Sequence, residues 1–88
     1  MTHYVKGDML IAFKSLLSQH GATKEDYPFF RIKAWHYGTK GYTYTIEGWN
    51  VKRRRWVAWG RQFAHYEAEK NFRPMKPAEY VLYGPFPN

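Results

Sequence analysis

The sequence predicts an α+β domain: a two-layer α/β sandwich with helices packed on one face of a three- or four-stranded antiparallel sheet. Three observations predict it. An apolar stripe at helical spacing opens the chain. The middle alternates aromatic and β-branched residues with polar ones. The connections between the central segments are too short for anything but antiparallel pairing. The expected order is α-β-β-β-α, with a further β at the end left open.

The first helix is expected over Asp8 to His20. Met9, Leu10, Phe13, Leu16 and Leu17 fall on one stripe, Asp8 stands where an N-cap would, and Gly21 follows the last turn. The first strand is read over Phe29 to Trp35, followed by a loop from His36 to Gly41. The second runs from Tyr42 to Asn50, rich in Tyr, Thr and Ile. The third runs from Arg55 to Phe63. A hairpin closing symmetrically about Lys52 and Arg53 sets Trp49 opposite Trp56 and Ile46 opposite Trp59. A second helix is expected from Ala64 to Phe72, because Ala64, Ala68 and Phe72 recur at four-residue spacing and Pro74 would stop it. In the tail, Tyr80 to Tyr83 suits a short strand, while Pro77 as the first residue of a helical turn is the competing reading.

The 88 residues suit one domain, residues 1–88, with a thin core. There is no cysteine, so neither disulfides nor thiolate metal sites are available. Eighteen aromatic residues must supply most of the buried area, at roughly 150–250 Å² each. No signal peptide is visible, and no stretch approaches the roughly 20 apolar residues a membrane span needs. A cytoplasmic protein without membrane contact is the expectation.

Charge is concentrated. Arg31, Lys33, Lys40, Lys52, Arg53, Arg54, Arg55 and Arg61 share one stretch with a single acid, Glu47, while the rest of the chain carries six basic and six acidic residues. The formal net charge of +7 is therefore a local field. All four tryptophans, Trp35, Trp49, Trp56 and Trp59, lie in the same stretch. Cations interleaved with flat rings suit a polyanion that carries stackable bases.

Strand alternation divides the sheet. Tyr42, Tyr44, Ile46, Val57, Trp59 and Phe63 fall on the apolar face, with Phe30, Ile32 and Ala34. The expected core joins Phe13, Leu17, Ile32, Ile46, Val57 and Trp59. The outer face would present Arg31, Lys33, Trp35, Thr43, Thr45, Trp49, Arg54 and Trp56. A wet face with three tryptophans suggests a binding surface; the competing reading is that the tail, with Tyr80, Leu82 and Phe86, folds over it.

Other constellations are weak. His65 and Glu69 lie four apart on the second helix and form an ion pair or two metal ligands, but lack a third ligand. Glu67 and Glu69 do not share a helix face. Gly38-Thr39-Lys40-Gly41 lacks the spacing of a phosphate-binding loop. No nucleophile, base and oxyanion site assembles, so the reading is a non-enzyme without metal or cofactor.

The order α-β-β-β-α is similar to that of double-stranded-RNA-binding domains, whose basic cluster opens the second helix. Here that region reads Gln62-Phe63-Ala64-His65-Tyr66-Glu67, without lysine. Trp59-Gly60-Arg61 resembles the tripeptide of the WGR domain, which is associated with DNA ends. Shared topology does not carry function.

The resulting expectation is a small basic nucleic-acid-binding protein. Arg31, Lys33, Lys52, Arg53, Arg54 and Arg55 would meet phosphates, and Trp35, Trp49 and Trp56 would stack on bases, which favours single strands over a duplex. The alternative is a small inhibitor or adaptor of phage or mobile-element type that docks on an acidic protein surface, since Trp, Tyr and Arg also dominate protein hot spots.

Overall fold

The computed structural model describes residues 3–60 and 62–87. The order is β1 (Met9–Ala12), α1 (Lys14–Gln19), β2 (Phe30–Gly38), β3 (Gly41–Asn50), β4 (Arg55–Ala58), β5 (Phe63–Ala64), α2 (His65–Asn71), β6 (Phe72–Pro74) and α3 (Pro77–Tyr83). The fold is α+β. Its sheet runs β4-β3-β2-β1-β6, with β5 also on β3, and every pairing is antiparallel. The sheet is thus wider than the three or four strands expected.

The largest correction is at the N-terminus. Met9 to Ala12 is a strand, and the helix begins only at Lys14. All four strand residues are buried. Leu10 and Ala12 join one core cluster while Met9 and Ile11 join the other, on the opposite sheet face. A strand covered on both sides requires a continuous apolar run, and such a short run also mimics a helical stripe. Asp8 does not cap a helix. Its Oδ2 accepts from Val5 N–H at 2.9 Å, inside a turn before β1. Phe13, expected in the core, flanks α1 with an extended backbone and is 39% exposed.

The β3–β4 hairpin follows the expected register. Trp49 pairs with Trp56, and Trp59 N–H donates to the Ile46 carbonyl at 3.0 Å. The expected third strand is broken into β4 and β5, with Gly60 at φ +65° between them. Arg61, which the expected strand and the Trp-Gly-Arg tripeptide include, lies outside the described residues.

The tail is helical rather than extended. Pro77 opens α3, so the competing reading of that proline holds. After α2 the chain forms β6 on the edge of the sheet beside β1. Pro74 is tolerated there because an edge strand leaves one row of donors unpaired.

Two cores result. The first joins Leu16 and Leu17 of α1 and Ala68 of α2 to Phe30, Ile32, Tyr44, Ile46 and Trp59. The second lies on the opposite face and joins Met9, Ile11, Phe29 and Met75 to Trp49, Trp56, Tyr83 and Phe86. The outer sheet face is therefore partly roofed, and the two-layer picture is corrected to a sheet covered on both sides at this end. Among the described residues, no helix is long and apolar enough to cross a membrane.

Candidate nucleic-acid interface

The β3–β4 hairpin is where the basic run lies. Lys52, Arg53, Arg54 and Arg55 are all exposed. Four guanidinium or ammonium groups in sequence repel one another, so the loop needs support from neutral and acidic groups. Asn50 supplies most of it. Its Oδ1 accepts from Arg53 N–H at 2.9 Å. Its carbonyl accepts from Arg54 N–H at 2.8 Å. Its Nδ2 donates to the Tyr27 hydroxyl at 3.0 Å. Asp26 holds the other side: its carbonyl accepts from Val51 N–H at 3.0 Å, and its carboxylate lies 3.7 Å from Lys52 Nζ. Arg54 takes a positive φ of 54°, a conformation that costs a non-glycine residue free energy. Among the described residues, no carboxylate pairs with Arg53, Arg54 or Arg55. Asn50 and Asp26 were not singled out in the sequence. The signal was present, because an Asn at a strand end before a tight loop commonly bonds backbone donors two or three residues on.

Arg31 and Lys33 are placed differently. Arg31 sits directly across from Glu47 in the β2–β3 ladder. Its Nε donates to Glu47 Oε1 at 2.9 Å, and its guanidinium carbon lies 4.1 Å from the centroid of Trp56. Lys33 Nζ is 3.7 Å from the same carboxylate. These two cations thus share the one acid of the basic stretch, and Arg31 is largely engaged within the protein.

Trp49 and Trp56 do lie on the outer face, edge to face at 5.4 Å. The C-terminal segment crosses them. Phe86 and Tyr83 pack on Phe29 at 5.1 and 5.7 Å, Phe29 packs on Trp56 at 5.8 Å, and Trp56 Nε1–H donates to the Pro87 carbonyl at 3.2 Å. Both indoles are half-buried. The reading in which the tail covers these rings describes this part of the face, with Tyr83 and Phe86 as the covering rings, whereas Leu82, expected among them, is 72% exposed.

Trp35 is on the other side of the sheet. The β2–β3 register shifts between Ile32 and Ala34, so Lys33 is an extra residue in β2. A bulge re-aims every side chain beyond it. Ala34 takes the outward position opposite Thr45, and Trp35 falls opposite Tyr44, whose ring is in the helix-side core. The expected face of three tryptophans is therefore divided: Trp49 and Trp56 on one side, Trp35 on the other.

One further polar cluster stands out. Tyr44 is fully buried. Its hydroxyl accepts from Tyr4 N–H at 3.2 Å and lies 2.7 Å from His65 Nδ1. The hydroxyl and Nδ1 share one hydrogen bond, and Nε2 of the same ring lies 3.3 Å from Glu69 Oε1. Burial raises the Tyr44 pKa above its ordinary value, and burial with the Glu69 charge raises that of Tyr4. His65 thus lies between the buried tyrosine and Glu69. Among the described residues, no three metal-ligating side chains converge. A cleft of about 580 Å³ beside α1 has Ile11, Ala12 and Leu17 among its apolar lining and Lys14, Lys24 and Arg73 among its charged lining.

No family model, curated protein or solved structure matches this chain.

Proposed function

We propose that this is a small nucleic-acid-binding protein whose anchor is the β3–β4 hairpin. Arg53, Arg54 and Arg55 carry the reading: three consecutive exposed guanidinium groups, without acid partners among the described residues, on a loop braced by Asn50 and Asp26. Guanidinium groups match phosphate oxygens in bidentate fashion, and a braced loop spends less entropy on binding than a free one. Lys52 adds charge at the rim. Lys33, 60% exposed at its side chain, can contribute by leaving Glu47, whereas Arg31 acts by holding Trp56 in place. Trp49 and Trp56 offer only their exposed portions to a ligand, so phosphate contact outweighs stacking on that face. A cytoplasmic location belongs to the same proposal.

Fluorescence anisotropy with labelled single-stranded DNA and RNA tests it. The parent should bind, and the triple change of Arg53, Arg54 and Arg55 to Ala should bind more weakly while remaining folded, since exposed loop charges contribute little to stability. Equal binding by both proteins rejects the hairpin as the anchor.

A second reading rests on a separate observation. Val81 and Leu82 are 84% and 72% exposed, on the helix α3 whose Tyr83 packs over the Trp56 side of the sheet. An inhibitor or adaptor would set this apolar surface against a protein partner whose acidic rim meets the Arg hairpin. Changing Val81 and Leu82 to Ser would then abolish partner binding and leave oligonucleotide binding unchanged.

A further inference from the structure

The far end of the β2–β3 ribbon carries exposed aromatic rings, Trp35 among them, away from the Arg hairpin. Beyond the bulge at Lys33, Trp35 and Tyr37 point to the helix side of the sheet, opposite Tyr44 and Tyr42. Trp35 is 43% exposed and Tyr37 is 64% exposed. They are held in place rather than loose. His3 stacks on Tyr42 at 4.0 Å with an interplanar angle of 8°, and it also packs against Trp35 at 4.8 Å. Tyr42 in turn supports Trp35 at 5.7 Å and Tyr37 at 4.7 Å. The ribbon ends in a two-residue turn, Thr39 and Lys40, between the paired Gly38 and Gly41. Lys40 is exposed there. The described pairing of β1 with β2 covers only Phe30 and Arg31, so this end of β2 projects past its neighbour.

We infer that Trp35 and Tyr37 form a base-stacking site for single-stranded nucleic acid, with Lys40 beside it for a phosphate. The inference rests on the nucleic-acid reading above. The occupant follows from chemistry and placement. Large exposed rings on a rigid support favour a flat π-system, and a chain whose surplus charge is all positive selects a polyanion that carries such rings. The bulge gives the site its position: without the extra residue at Lys33, Trp35 would face the roofed side of the sheet.

The geometry sets a length. Tyr42 and Asn50 are eight residues apart on β3, which spans about 27 Å at 3.4 Å per residue. The stacking site and the Arg hairpin therefore lie at opposite ends of one strand. A stacked nucleic-acid strand advances about 3.4 Å per nucleotide, so about eight nucleotides reach both ends, within the range of roughly 4–16 seen for small single-strand-binding domains.

The test measures affinity for oligothymidylates of increasing length, from four to sixteen nucleotides, using the whole chain. The parent should show weak binding to the shortest strands and a steep gain once about eight nucleotides are present. Trp35→Ala and Tyr37→Ala should each reduce affinity for long strands roughly five- to hundred-fold, with an unchanged salt slope and with the length step diminished. Trp35→Phe should keep most of the affinity and lose part of the fluorescence quenching. Tyr37, being the more exposed, serves as the control should Trp35→Ala fail to fold. If both alanine variants match the parent at every length while the Arg53, Arg54 and Arg55 variant is weakened, the stacking site is wrong and the hairpin anchor stands. If the parent binds no oligonucleotide, the underlying reading fails and this site fails with it.

Discussion

Arg31 and Glu47 form a directly cross-strand ion pair, 2.9 Å apart, with the guanidinium laid over the face of Trp56. Glu47 is 8% exposed, the buried charged side chain among the described residues. A carboxylate at that depth needs its hydrogen-bonded partner, because Lys33 Nζ at 3.7 Å is beyond hydrogen-bond distance and removing one member of a buried pair is strongly destabilising. Arg31→Ala should therefore destabilise the protein by about 2–4 kcal/mol, whereas its effect on the salt dependence of nucleic-acid binding should be small. Chemical denaturation of Arg31→Ala and of the Arg31→Ala, Glu47→Ala double variant checks it. The double variant should recover part of the loss, since both charges are then gone.

Gly48 is packed by aromatic rings. A β-carbon there would lie 2.6 Å from Phe30 Cε2 and 2.8 Å from Tyr27 Cδ1. Phe30 is fully buried, so it has nowhere to retreat. Gly48→Ala should lose about 1–3 kcal/mol through overpacking, despite the usual advantage of alanine over glycine in a strand. Gly38→Ala is the matched control. Its nearest neighbour is His36 Nε2 at an ordinary 3.5 Å, so its thermal midpoint should stay near the parent's or rise.

Arg73 and Glu79 make a bidentate pair, both bonds 2.7 Å. Together with the Lys76 N–H, the guanidinium holds the Glu79 carboxyl down to about 2 from an ordinary 4.5. A lowered folded-state value means stability that is complete above the unfolded value and lost as pH falls. The pair should stabilise the protein above about pH 5 and lose that contribution as pH drops from 4.5 toward 2. Thermal midpoints of the parent and Glu79→Gln, measured across this window, should differ most at neutral pH and converge at its acid end.

The central sheet was legible because β3 and β4 declare themselves locally: alternation, a four-residue loop and opposed Trp49 and Trp56. Leu17, Ile32, Ile46 and Trp59 meet in one core as stripe and alternation indicate, whereas Val57, expected with them, is half-buried and outside it. Two things were not legible. Met9 to Ala12 reads equally as helix or strand, and only its place between β2 and β6 decides. The bulge at Lys33 leaves no mark in a row of alternating residues, yet it sends Trp35 to the other face. The roof over Trp49 and Trp56 was open in the sequence as one of two readings, because it depends on α3 and the tail returning across the sheet, a long-range contact that no local pattern decides. The Arg hairpin needed no such contact to be found, since four consecutive cations are exposed in any register.

The salt dependence of binding tests the hairpin anchor most directly. Each phosphate contact on a single strand adds about −0.7 to the log–log slope of affinity against salt. Replacing Arg53, Arg54 and Arg55 with Ala should make that slope shallower by about 2, with the thermal midpoint nearly unchanged. An identical slope in the parent and the triple variant would contradict the account.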